Sequence, residues 1–176
     1  MRPAWSNDDI EVIVARLDTS SPEGAVSLTA DFRLRLTETL RDAVARGLPL
    51  YFLTEVQIHQ PRWYWLDRSI VASQIEWRLS YHALTRQYRV SSSVTSEGFP
   101  ALEDAVSAMS SVRDWQIATL PMFQTGTTYG VRVRMRLDTT RLPKPFQMTA
   151  LTDRNWNPQS EWKRFDFIVP TPTSAR

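Results

Sequence analysis

Between residues 26 and 36 apolar and polar side chains alternate without a break. Val26, Leu28, Ala30, Phe32, Leu34 and Leu36 are apolar, and Ser27, Thr29, Asp31, Arg33 and Arg35 lie between them. A period of two puts the first set on one face of a strand and the second on the other. This segment therefore predicts a strand with one buried and one wet face, as in an antiparallel sheet. The β-branched run at 10–17 predicts a preceding strand, and the turn residues at 20–24 join the two as a hairpin.

The same pattern recurs along the chain. Residues 50–59 predict a strand with Phe52, Thr54, Val56 and Ile58 on one face. Residues 70–81 predict a longer one with Ile75, Trp77, Leu79 and Tyr81 inward, paired with 87–92. Residues 128–138 place Tyr129, Val131, Val133, Met135 and Leu137 inward. Shorter strands are expected around Trp115 and Ile117, at 146–151 after an extended Pro143-Lys144-Pro145 loop, and at 162–169. Two stretches change period. Residues 37–46 predict a helix capped by Thr37 and closed by Gly47 and Pro49. Residues 100–111 predict a second helix with Leu102, Ala105, Val106 and Met109 as its stripe. About eight strands and two short helices give a mainly β fold, an antiparallel two-sheet sandwich of immunoglobulin-like architecture. One sandwich domain is expected over 9–169, with disordered segments at 1–8 and 170–176.

At 176 residues the chain is long enough to bury a sizeable core. With no cysteine, disulfides, thiolate zinc sites and cysteine nucleophiles are excluded. Lys and Arg total 21 against 19 Asp and Glu, so the pI of about 9.2 overstates a small net charge, and no nucleic-acid partner is expected. No run approaches the roughly 18 apolar residues of a membrane span.

Few residues carry chemistry. No nucleophile elbow, phosphate-binding loop or dinucleotide fingerprint is present, and no catalytic, cofactor or metal residue is assigned. His59 and His82 fall on separate strands. Asp153, Asn155 and Asn157 alternate as in a calcium loop, but Pro158 and Arg164 stand where that loop needs Gly and Glu, which favours an Asx turn. Two groups remain as candidate binding residues. Arg132, Arg134 and Arg136 share one face of one strand. They form either a ladder matched by acids such as Asp31, Glu55 or Glu76, or a strip facing an anion or a partner. Arg62, Trp63, Tyr64 and Trp65 form either an aromatic platform for peptide or glycan, or a cap on an open sandwich end.

Several longer motifs point to a family. Gly47-Leu48-Pro49-Leu50-Tyr51-Phe52, Pro61-Arg62-Trp63-Tyr64-Trp65 and the segment from Leu79-Ser80-Tyr81-His82 to Gln87-Tyr88-Arg89 come first. Val112-Arg113-Asp114-Trp115, Leu142-Pro143-Lys144-Pro145-Phe146-Gln147, Trp156 and Ser160-Glu161-Trp162 follow in order. Together they resemble the bacterial family of domain of unknown function 4390, over about residues 9–169. The resemblance implies a proteobacterial, usually exported protein, whose gene often neighbours one for a membrane sensor kinase. It implies no catalytic residue. The N-terminus lacks the apolar stretch of a signal peptide, so the expectation is a periplasmic or envelope domain whose leader this chain lacks, against a cytoplasmic start at Met1. On this reading the chain is a non-enzymatic protein-interaction module that works near the membrane without spanning it. The alternatives are a small-ligand or glycan-binding module and an enzyme with an unrecognised carboxylate site.

Overall fold

The computed structural model describes residues 9–62 and 66–171, so the expected disorder of 1–8 lies outside the described residues, as does that of 172–176. Residues 170 and 171 follow the last strand without regular structure.

Two antiparallel sheets form the body. The smaller contains β1 (Ile10–Asp18), β2 (Ala25–Leu34) and β7 (Ser111–Thr119), in the order β1-β2-β7. The larger contains β3 (Leu50–Gln60), β4 (Arg68–His82), β5 (Gln87–Ser91), β6 (Ser96–Phe99), β8 (Thr128–Leu137) and β9 (Lys163–Ile168). Its order is β6-β5-β4-β3-β8-β9, a four-strand meander extended on the far side of β3 by the antiparallel pair β8 and β9. The expected two-sheet sandwich is present; its strand order is its own.

β2 behaves as its alternation requires. Val26, Leu28, Ala30, Phe32 and Leu34 are all buried, and β2 lies between β1 and β7 at the centre of its sheet. Thr29, on the opposite parity, is buried as well. The β2–β7 register slips between Leu28 and Ala30, Asp114 takes a φ of 48°, and its N–H donates to Thr29 Oγ1 at 3.4 Å. A bulge thus folds β7 over one position of the face expected to be wet. In β8 the five expected inward residues, Tyr129 to Leu137, are buried without exception. β1 packs across β8, and the inner faces of both sheets share one continuous cluster of buried residues. Inside it, Trp77 Nε1 donates to Thr54 Oγ1 at 3.1 Å, so the buried indole N–H has its acceptor.

Among the described residues three short α-helices close the sandwich, not two. α1 (Glu38–Ala45) starts at the Thr37 cap, whose hydroxyl accepts from Leu40 N. It ends in a Schellman turn: Gly47 N donates to Val44 O, Leu48 N to Ala43 O, and Gly47 holds a φ of 95°. α2 (Leu102–Met109) is shorter than its sequence span: Pro100 stands before the Ala101 cap position, and Ser111 already belongs to β7. The third, α3 (Lys144–Ala150), corrects the expected loop and strand at 143–151. Pro143 caps it and Pro145 sits in its first turn, where the missing N–H has no helical partner in any case. Phe146 N and Gln147 N both donate to Pro143 O. Strand β6 was not foreseen, since Ser96-Glu97-Gly98-Phe99 lacks a β-branched pattern. Among the described residues no helix is long and apolar enough to cross a membrane.

Candidate functional site

Because Tyr129, Val131, Val133, Met135 and Leu137 point into the core, β8 presents Gly130, Arg132, Arg134 and Arg136 on the outer face of the larger sheet. The antiparallel register with β3 gives each of these a specific neighbour. Arg136 lies opposite Leu53, Arg134 opposite Glu55, Arg132 opposite Gln57 and Gly130 opposite His59.

Glu55 anchors the middle of this face. Its Oε2 accepts from Arg134 Nε at 2.6 Å and from Arg136 Nε at 3.0 Å. Burial alone would raise its carboxyl pKa. The hydrogen bonds and charges of Arg134 and Arg136 outweigh that and hold it below the ordinary glutamate value. Of the three acids considered as partners for the strip, only Glu55 fills that place. Glu76 pairs with Arg141 at 3.2 Å, and Asp31 pairs with Arg113 at 2.7 Å on the other sheet.

Arg132 is held differently. Its Nε and Nη2 donate to the neutral Gln57 Oε1 at 2.8 and 2.5 Å. An aromatic ring completes the arrangement. Ser160 N donates to Met135 O and Ser160 Oγ accepts from Met135 N, which straps the chain beside β8 just before β9. Trp162 follows, and its ring meets the guanidinium of Arg132 at 4.5 Å and that of Arg134 at 4.3 Å from the centroid. Cation–π contact of this kind fixes both arginines without neutralising them.

Two open hollows flank the strip. One, of about 590 Å³, is lined by Arg134, Trp162, Asp153, Glu161 and Asp9. The Asp153 carboxylate there accepts from both the backbone N and Nδ2 of Asn155 at 2.9 Å, the Asx turn expected for this segment. The other, of about 210 Å³, lies between Arg132, Arg164, Gln57, His59, Asp67 and Ser69. His59 Nε2 stands 3.5 Å from Asp67 Oδ2, and its ring lies over Gly130, where an added Cβ would come within 2.5 Å of Nε2. Ser69 is in register with His59, and among the described residues no hydrogen bond joins them. His82 is exposed at the end of β4. Among the described residues no three His, Asp or Glu side chains are placed to hold a metal ion.

The structure thus unites Arg132, Arg134 and Arg136. Arg62 is partly buried just past the end of β3, and Trp63, Tyr64 and Trp65 lie outside the described residues. Sequence reasoning missed Gln57, Trp162, Arg164 and the His59–Asp67 pair. The alternation of Arg164 and Asp166 with Phe165 and Phe167 does announce an outward Arg164. Nothing local announces that β9 lies beside β8.

The family model described as Domain of unknown function (DUF4390) matches residues 8–166. No curated protein and no solved structure matches the chain.

Proposed function

The chain belongs to the DUF4390 family, and from that premise we propose that it is a non-enzymatic interaction domain of the bacterial envelope, which docks a protein partner on the arginine–tryptophan face of its larger sheet. One observation carries this reading: Trp162 is stacked with Arg132 and Arg134, and both guanidiniums are already held by β3. Arg and Trp dominate the energetics of protein interfaces. Side chains fixed before binding lose less entropy when a partner arrives. The Glu55 carboxyl has its pKa lowered, as in a structural ion pair, whereas a general acid needs the opposite shift. The family resemblance supports an envelope setting, and the extracytoplasmic part of a neighbouring sensor kinase is the first partner to test.

A photocrosslinking residue placed at Trp162 in cells tests the proposal, with the fully exposed Leu84 on the β4–β5 turn as control. Crosslinks to one envelope protein from position 162, and none from 84, are expected. Equal crosslinking from both positions, or crosslinks to cytosolic proteins alone, would overturn it.

A second reading rests on the hollow of about 590 Å³ beside Trp162. Its volume lies within the range of ligand pockets, which supports a small-ligand or glycan module built on this tryptophan.

A further inference from the structure

We infer that the hollow between Arg132 and Arg164 is a seat for a single oxyanion group, phosphoryl or carboxylate. The two residues are register partners on adjacent antiparallel strands, and both belong to the outer face. Like charges directly opposite one another destabilise a sheet unless a counter-charge lies between them. Along the strip, that need is met for Arg134 and Arg136 by Glu55. In the row of Arg132, β3 offers the neutral Gln57 instead. Among the described residues no carboxylate lies within ion-pair distance of Arg132 or Arg164.

The nearby acids are otherwise placed. Asp67 lines the same hollow, but its carboxylate is turned to His59, with Oδ2 3.5 Å from Nε2. Asp166 stands in register with Gly130, one row further along the edge strand. Arg132 meanwhile cannot swing away to relieve the repulsion without giving up both bonds to Gln57 and its stack on Trp162. It is a cation held in position with donors to spare, since Gln57 engages only Nε and Nη2. A planar guanidinium fork is the group best matched to a carboxylate or phosphate edge. Ser69, at the rim, adds a hydroxyl donor. The hollow, of about 210 Å³, has room for one oxyanion and a few waters.

This assignment goes beyond the docking reading and does not depend on it. The oxyanion has two sources, a free phosphate-type ion or an acidic side chain carried by another molecule, and the probes separate them. Inorganic phosphate and acetate are titrated into the protein at constant ionic strength, and backbone amide shifts at residues 69, 132 and 164 are followed. Saturable shifts are expected with at least one probe; preference for phosphate assigns the free ion, and preference for acetate the side chain. Arg164→Gln and Arg132→Gln should each weaken binding about tenfold or more, and Arg132→Lys, which keeps the charge but loses the fork, should weaken it less. Arg16→Gln on β1 of the other sheet should leave it unchanged. Phosphate stabilises proteins generally by exclusion from their surface. Shifts that rise linearly, or that survive both glutamine substitutions, would overturn the site. Saturable shifts together with failed crosslinking at position 162 would leave the seat standing and remove only the protein-docking proposal.

Discussion

Glu55 and Arg134, 79 residues apart in the chain, meet side by side on the outer face of the sheet, with Oε2 2.6 Å from Nε and side chains only 13% and 25% exposed. Removing the carboxylate leaves Arg134 and Arg136 facing each other across the vacated site. Glu55→Ala is expected to cost about 1–3 kcal/mol in urea melts, because a partly buried charge loses its partner. In the Arg134→Ala background the loss should be smaller, since the repulsion is then relieved. Equal losses in both backgrounds would show that the two residues do not act as a unit.

The same pair sets an acid dependence. The folded-state pKa of Glu55 lies below its unfolded value, so between the two the unfolded chain binds more protons. Stability therefore rises with pH through that window. The contribution of Glu55 is fully present above the ordinary glutamate pKa and is lost as pH falls through the depressed one. Urea melts from about pH 7 down to about pH 3 should show a shallower decline for Glu55→Gln than for the native chain. Parallel curves would contradict the sign.

Within the core, Trp77 and Thr54 form a closed donor–acceptor pair. Thr54→Val leaves the Trp77 N–H buried without an acceptor and should cost about 1–3 kcal/mol. Adding Trp77→Phe removes the stranded donor, so the double variant should lose less than the sum of the singles. Strict additivity, measured by chemical denaturation, would mean that the hydrogen bond contributes nothing.

On β2, Phe32→Ala should cost about 3–5 kcal/mol, as expected of a buried phenylalanine. Thr29, which the alternation puts on the wet face, is only 8% exposed and accepts from the bulged Asp114 N–H. Its change to Ala should cost about 1 kcal/mol. Equilibrium unfolding of the two variants checks the ranking, which reverses only if the faces of β2 are exchanged.

At Gly130 of β8 the facing His59 ring occupies the space that a side chain would fill. Gly130→Ala should displace the His59 ring and separate it from Asp67, visible as a shift of the His59 imidazole resonances. The same resonances unmoved would mean that the ring does not lie over β8 in solution.

Much of this molecule is written locally. Alternation with period two fixes which side of a strand each residue takes, whatever the strand lies beside. So the buried faces of β2, β3 and β8, and the outward Arg132, Arg134 and Arg136, are determined by the sequence alone. Caps and turn glycines work the same way: the Thr37 cap and the Gly47 turn delimit α1 through bonds made within residues 37–48. Residues 146–151 mark the limit of such signals, because a short apolar run fits either period. The helix there gains what a strand would not, with Phe146 stacked on Trp156 at 4.6 Å. Partnership was decided only in three dimensions. Asp31, Glu55 and Glu76 are equivalent as sequence, each an acid on an alternating strand. Which one neutralises the arginines depends on β3, not β4 or β2, lying next to β8, a pairing across 79 residues. The same pairing brought Gln57 to Arg132, and the return of β9 brought Trp162 and Arg164 to the same face. Side-chain direction is a property of one strand; side-chain company is a property of the whole sheet.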